Sequence, residues 1–215
     1  MKTSEPRAAS VALVALITAS CLGGPAQSGP AANGPRIVQP GAPGQGSRQY
    51  DAGELAEVEG VSFTDADVHF MQGMIPHHAQ ALEMTALVRR YAGSNGVRQM
   101  GLRMEISQRD EIGLMEQWLR DHGQSTRMDG MHMMPGMLST EQMQDLRDAR
   151  GAEFDRLFLT YMIQHHQGAL VMVDELFGTS GAGQESTVFR FAADVDADQT
   201  MEIDRMQRLL DQGGN

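Results

Sequence analysis

The chain has 215 residues, with 17 Lys and Arg against 28 Asp and Glu, and its net charge is −11. This acidic balance argues against a nucleic-acid-binding protein, because recognition of phosphates needs a basic surface. A single cysteine excludes a disulfide within the chain, and 17 methionines beside only 5% aromatic residues are unusual for a globular protein.

The first 21 residues have the pattern of an export signal. Lys2 and Arg7 precede an apolar run that ends at Ser20, and at roughly a dozen residues this run is too short to span a bilayer. The residues before Cys21 approximate a lipobox, although Thr18 stands where a larger aliphatic residue is usual. We therefore expect an exported protein, periplasmic or on the cell surface. Its N-terminus is either lipid-anchored through Cys21 or cut nearby by an ordinary signal peptidase.

The rest of the chain divides by composition into a linker and a domain. Residues 22–60 are rich in Gly, Pro, Ala and Gln without apolar periodicity, which predicts a disordered tether. Residues 61–215 have the length of one ordinary domain. The predicted organisation is therefore a signal peptide over 1–21, a tether over 22–60 and a folded domain over 61–215.

Apolar periodicity in the domain predicts four long helices. The helices are expected over Asp65–Tyr91, Val97–His122, Ser139–Phe177 with a break near Gly151, and Gln184–Gln212. No segment shows sustained period-two alternation, so no strand is predicted. The fold class is all-α: a four-helix bundle made of two duplicated helical hairpins with a Met-rich insert between them.

An internal duplication links the first and third helices, with corresponding positions 88 residues apart. The first copy contains Asp67, Phe70, Met74, His77, His78, Ala81 and Met84, and the second contains Asp155, Phe158, Met162, His165, His166, Ala169 and Met172. At 100° per residue, each set falls on one inward-facing side of its helix. A repeated core needs only apolar residues, whereas two His and two Met kept in each copy predict a metal site in the bundle core.

Carboxylates accompany both copies and leave alternatives open. Asp67 and Asp155 are either ligands or helix-start carboxylates. Glu111 and Glu202 are either direct ligands or acceptors that fix the imidazole tautomers. A second methionine set, Met115 and Met206, lies one turn beyond these glutamates. Gln108 and Glu111 share a helical stripe with Met104 and Met115, and polar residues in a core are costly unless they are paired.

The insert between the hairpins is a second candidate metal segment. Its candidate ligands are Met128, Met131, His132, Met133, Met134 and Met137. Thioether and imidazole groups suit Cu(I) or Ag(I) and do not depend on thiols. The alternative is a hydrophobic cover over the end of the bundle.

The duplicated Met-Ile-x-His-His segments, the Glu-Ile-x₂-Met followers and the Met-Pro-Gly-Met insert resemble the CopM-like secreted proteins, catalogued as domain of unknown function 305. The resemblance covers about Val61 to Leu210 and implies a ferritin-like fold and an exported copper-binding protein linked to metal tolerance. It also implies a ligand set of Met74, His77, His78, Met84, Met162, His165, His166 and Met172. One departure is Gln164, which stands where the first copy has Pro76, so the two halves need not bind equally.

Three classes of function compete. The first is a non-enzymatic binder that sequesters Cu(I) or passes it to a copper-handling partner protein. The second is a ferritin-like redox enzyme, but the chain has no Glu-x-x-His of the di-iron type. The third is a purely structural helical module. Zinc and iron are the alternative metals, and zinc is disfavoured by the absence of cysteine from the domain. The sequence does not indicate an oligomeric state.

Overall fold

A computed structural model describes residues 37–39, 48–50, 62–128 and 134–213. The chain divides into two units, Met1–Glu54 and Leu55–Asn215. The predicted signal peptide, Cys21 and most of the predicted tether lie outside the described residues. Among the described residues, no helix combines the length and the apolar character needed to cross a membrane.

The first unit contains two short strands. Strands β1 (Ile37–Gln39) and β2 (Arg48–Tyr50) pair antiparallel, with Ile37 opposite Tyr50. The sequence pattern predicts no strand in this segment, and the structure differs because three-residue strands are too short to display period-two alternation.

The second unit is helical. Its helices are α1 (Asp65–Tyr91), α2 (Asn95–Asp121), α3 (Thr140–Asp148), α4 (Gly151–Gly178) and α5 (Ser186–Gly213). The predicted all-α bundle is confirmed, with α1, α2, α4 and α5 as its four long helices. The short helix α3 is the first part of the predicted third helix.

Local sequence signals set the helix boundaries. The Thr64 hydroxyl accepts a hydrogen bond from the Asp67 amide (3.2 Å), and the Asp67 carboxylate accepts one from the Thr64 amide (2.7 Å). This reciprocal capping box starts α1 at the predicted residue. The break between α3 and α4 falls at Ala149 and Arg150, and Gly151 adopts a positive φ of 61°. Glycine takes this conformation without the steric cost that a side chain adds.

The long helices form two hairpins that pack against each other. Helix α1 pairs with α2, α4 pairs with α5, and the hairpins meet mainly where α1 lies against α4. The first and third predicted helices, which carry the duplicated motif, therefore form the centre of the bundle. Helix α3 packs on α4.

The buried core consists of two apolar clusters related by the duplication. One cluster contains Met74, Met115 and Met172, and the other contains Met162, Met206 and Met84. The repeat offsets convert each member of the first set into a member of the second. Each cluster therefore combines methionines from both hairpins, so neither hairpin completes its core alone.

Candidate metal centre

Four buried histidines form a layer between α1 and α4. His77 and His78 come from α1, His165 and His166 come from α4, and none is more than 1% exposed. The rings of His77 and His165 approach to 3.8 Å between centroids at an interplanar angle of 39°. The two copies of the motif thus meet at one place in the bundle.

The outer histidines of the layer are His78 and His166. Each forms a hydrogen bond with a glutamate on the other helix of the same hairpin. His78 Nε2 lies 2.6 Å from Glu111 Oε2, and His166 Nε2 lies 2.7 Å from Glu202 Oε2. Both glutamates are about a quarter exposed, at 24% and 25% of the side chain. A carboxylate acceptor places the imidazole proton on Nε2. This geometry favours the tautomer-fixing role over direct ligation for both glutamates.

The inner histidines, His77 and His165, have no carboxylate partner among the described hydrogen bonds. His77 Nε2 donates to the Pro135 carbonyl at 3.0 Å, so three of the four imidazoles have Nε2 engaged by an oxygen. Within the described residues, Nδ1 of all four histidines and also Nε2 of His165 are buried without a hydrogen-bond partner. An unpartnered buried polar atom costs about 1–3 kcal/mol. A neutral imidazole has one unprotonated nitrogen, so the four rings of this layer offer up to four nitrogen donors of the kind that a metal site uses.

Burial keeps the inner imidazoles neutral. Burial is the main cause that lowers the pKa of His77 to about 3; the nearby imidazoles of His78 and His166 act in the same direction, and the Pro135 carbonyl opposes them. Burial also lowers the pKa of His165 well below its usual range, assisted by the other three histidines. Neutral imidazoles keep a lone pair for a metal at physiological pH.

The end of the Met-rich insert is seated in the groove between α1 and α4. Gln80 accepts a hydrogen bond from the Leu138 amide (2.7 Å) and donates one to its carbonyl (3.0 Å), and Gln164 donates to the Gly136 carbonyl (3.3 Å). A Cβ at Gly168 would collide with the Pro135 carbonyl. The described end of the insert therefore covers the helix groove above His77, not the end of the bundle. Gln164, which stands where the first copy has Pro76, thus supplies a side-chain hydrogen bond that proline has no group to make.

Replacing Gly168 by alanine should displace the Pro135–Gly136 turn and break the bond from His77 to the Pro135 carbonyl. We expect a loss of about 1–3 kcal/mol in the free energy of unfolding, as for other overpacked sites. This free energy is measured by denaturant unfolding, monitored through the fluorescence of Trp118, the only tryptophan of the chain. Gly178→Ala is the matched control, since a Cβ there meets nothing within 4 Å. Equal stabilities of the two variants would contradict the steric argument.

Thioethers of the insert and the core converge at Gly73, one turn before His77. A Cβ at Gly73 would lie 3.2 Å from Met128 Cε, 3.3 Å from Met134 Sδ and 3.4 Å from Met172 Cε. The sequence treats the insert and the core as separate candidate sites. The structure joins them, because Met128 and Met134 lie at Gly73 together with Met172 of the duplicated motif.

The remaining predicted residues have varied positions. Met137 is partly buried, and its amide donates to the Met134 carbonyl at 3.3 Å. Met131, His132 and Met133 lie outside the described residues.

In the described part of the chain, no three His, Cys, Asp or Glu side chains are placed to hold an ion together. A site in the histidine layer therefore depends on thioether sulfur as well as imidazole nitrogen.

The two motif aspartates, Asp67 and Asp155, accept hydrogen bonds from backbone amides at the ends of the bundle. Asp67 accepts hydrogen bonds from Thr64 and, at 2.6 Å, from the Gly183 amide. Asp155 accepts from the amides of Gly93 (2.9 Å) and Ser94 (2.7 Å). Because their oxygens are engaged by backbone amides, the structure favours the helix-start role over ligation for both aspartates. They fix the turns of the opposite hairpin.

Polar groups that the sequence analysis overlooked lie between α2 and α5. Asp198 lies near Glu111 and Glu202, and its carboxyl pKa is raised by desolvation first and then by the charges of these glutamates and Asp194. Gln199 is buried and follows Gln108 by 91 residues, the same offset that relates Glu202 to Glu111. The repeat offset could have revealed Gln199, whereas nothing in the sequence indicates the contacts at Gly73 and Gly168.

Comparisons with known proteins place this geometry in context. A family profile described as domain of unknown function (DUF305) matches residues 67–210. A DUF305 fragment from Deinococcus radiodurans is 31% identical, with a TM-score of 0.61 over 70% of this chain and 98% of that one. A DUF305 protein from Streptomyces coelicolor, presumed to be secreted, is 29% identical, with a TM-score of 0.63 over 69% and 92%.

The fold also resembles that of CopM. Its Cu(I)-bound form is 24% identical, with a TM-score of 0.56 over 70% of this chain and 98% of that one. CopM has also been solved in Cu(II)-bound, Ag-bound and apo forms. At this identity the similarity establishes the fold alone. A comparison with curated proteins gave no match.

Proposed function

The chain belongs to the DUF305 family, and from this premise we propose that it is an exported, non-enzymatic protein that binds copper as Cu(I). The ligands are imidazole nitrogens and thioether sulfurs where the two copies of the motif meet. The protein sequesters the ion or transfers it to a copper-handling partner. Ag(I) is a second ion of the same soft class.

The observation that carries this proposal is the set of unpartnered Nδ1 atoms in the histidine layer. An oxygen acceptor engages Nε2 of His77, His78 and His166. Fixing the proton on one ring nitrogen directs the lone pair of the other toward a metal, which is the usual arrangement around ligating histidines. A purely structural layer would be expected to satisfy both nitrogens.

The surroundings of the layer favour a soft monovalent ion. Met74, Met84 and Met162 are fully buried, and Met172 is 7% exposed. Thioethers prefer Cu(I) to harder ions. Imidazole and thioether ligands are neutral, and the cost of placing an ion in a low-dielectric interior rises with its charge. A monovalent ion therefore suits this donor set better than Cu(II), zinc or iron.

Three further observations support the proposal. CopM, which shares the fold, has been solved with bound copper and silver. The N-terminal sequence has the pattern of an export signal, and a family relative is presumed to be secreted. Met128 and Met134 of the insert are half-buried and lie at Gly73, one turn before His77, which suits capture or transfer of an ion.

Anaerobic titration of the purified protein with Cu(I) against a competing chelator tests the proposal, with Zn(II) in a parallel titration. We expect tight Cu(I) binding, much weaker Zn(II) binding and a higher melting temperature with Cu(I), since a ligand that binds only the folded state stabilises it. Cu(I) binding no stronger than that of Zn(II), or an unchanged melting temperature at saturation, would refute the soft-metal function and favour a structural module.

A further inference from the structure

A cavity of about 610 Å³ lies beside the first two turns of α1. Its lining comes from α1, from the segment that follows α2 and from Met134. Asp65, His69, Ser125 and Arg127 line it and are exposed, so the cavity reaches the surface. Asp65 and Arg127 have opposite charges, so this pair adds no net charge that would repel a cation.

Three thioether side chains end around one position on α1. Met128 Cε, Met134 Sδ and Met172 Cε all lie within 3.4 Å of the place that a Cβ of Gly73 would occupy. Each Cε atom is bonded directly to its sulfur, and a methionine side chain has three rotatable bonds. Small side-chain rotations therefore turn all three sulfurs toward a single ion.

The three methionines differ in their exposure. Met128 and Met134 line the cavity and are half-buried, whereas Met172 is only 7% exposed. An ion can therefore reach the first two sulfurs from solvent, and the third holds it against the core. Thioether sulfurs are uncharged and soft, and they prefer monovalent ions such as Cu(I) and Ag(I).

The second copy of the motif fills the corresponding position with a large side chain. The repeat offset of 88 residues relates Gly73 to Tyr161, and Tyr161 packs against an apolar core cluster. Glycine is a poor residue for a helix interior, because it loses more backbone freedom on folding than other residues do. Its presence inside α1 therefore calls for a local reason, and the space for the three methionine side chains supplies one.

We propose that Met128, Met134 and Met172 form a three-thioether site for one Cu(I) or Ag(I) ion, separate from the histidine layer. Thioether ligands select soft monovalent ions over harder ones. The site rests on the proposed function only for the class of ion, since its ligands include no imidazole. Because Tyr161 occupies the equivalent position of the second copy, each chain has one such site although the motif is duplicated.

The test is titration of the purified protein with Ag(I), followed by nuclear magnetic resonance of isotope-labelled methionine methyl groups and of imidazole protons. We expect the methyl signals of Met128, Met134 and Met172 to shift as the ion binds. The double variant Met128→Leu/Met134→Leu nearly keeps the side-chain volumes but removes two of the three sulfurs. The number of Ag(I) ions bound per chain, measured by equilibrium dialysis, should therefore fall by one in this variant. Unmoved methyl signals of Met128 and Met134 at saturation would overturn the proposal.

Met201→Leu is the matched control, because Met201 is exposed on α5 and does not line this cavity. It should leave the number of bound Ag(I) ions unchanged, and equal counts for Met201→Leu and the double variant would also overturn the proposal. The imidazole signals report on the histidine layer in the same titration. Imidazole shifts with unmoved Met128 and Met134 signals would remove this site and leave the copper function standing, so the two failures are distinguishable.

Discussion

Replacing His77 and His165 together by alanine should weaken Cu(I) binding by more than about 100-fold. Losing a partner of a metal ligand alone costs 10- to 100-fold in affinity, and this change removes two ligands at the point where the hairpins meet. Their rings are 3.8 Å apart between centroids, and both are buried. Chelator competition under anaerobic conditions measures the affinity of the variant and of the wild type.

His69→Ala is the matched control for this experiment. His69 lies on the same helix as His77 but is exposed, so its removal should leave Cu(I) affinity unchanged within about twofold. Residual weak binding in the double variant would be assigned to the thioethers around Gly73. Retention of the full affinity in the double variant would contradict the assignment of the histidine layer as the metal centre.

Acidification should destabilise the metal-free protein between about pH 6.5 and pH 3. In the unfolded chain, His77 and His165 bind protons below the ordinary histidine pKa of about 6.5. In the folded chain the pKa of His77 is lowered to about 3, and that of His165 is also lowered. The unfolded state therefore binds more protons in this window, and stability falls as the pH falls.

The size of this effect is large because each unit of pKa difference corresponds to about 1.4 kcal/mol. We expect a loss on the order of a few kcal/mol, measured by urea unfolding of chelator-treated protein at a series of pH values with Trp118 fluorescence. Carboxylates titrate in the same range, so His77→Leu/His165→Leu serves as the reference. The stability of this variant should fall less steeply, and parallel curves for variant and wild type would contradict the buried-imidazole argument.

Much of the fold could be predicted because its signals are local. The capping residues Thr64 and Ser139 start α1 and α3 where the sequence predicts, since a cap needs only groups three residues apart. The inward side of each motif helix follows from the 3.6-residue period, and all four motif histidines are buried. The strands β1 and β2 were missed because they are too short to show a pattern.

The candidate site could be predicted only in part. The sequence identified the histidines and the methionines, because a duplication keeps residue types in register. It could not assign Asp67 and Asp155, whose oxygens meet backbone amides from the opposite hairpin. It also treated the insert as a separate site, although Met134 lies against Gly73. These contacts join residues far apart in the chain, and spacing along one helix carries no information about them.

The sequence by itself determined the helical hairpins, the duplication and the residue types that surround the centre. Only the tertiary structure decided which ring nitrogens are engaged, because the partners of His77 and His78 are the Pro135 carbonyl and Glu111, 58 and 33 residues away. It also decided that the two copies share one histidine layer. The physical reason is that helix periodicity fixes the direction of a side chain on its own helix, whereas the packing of α1 against α4 fixes what that side chain meets.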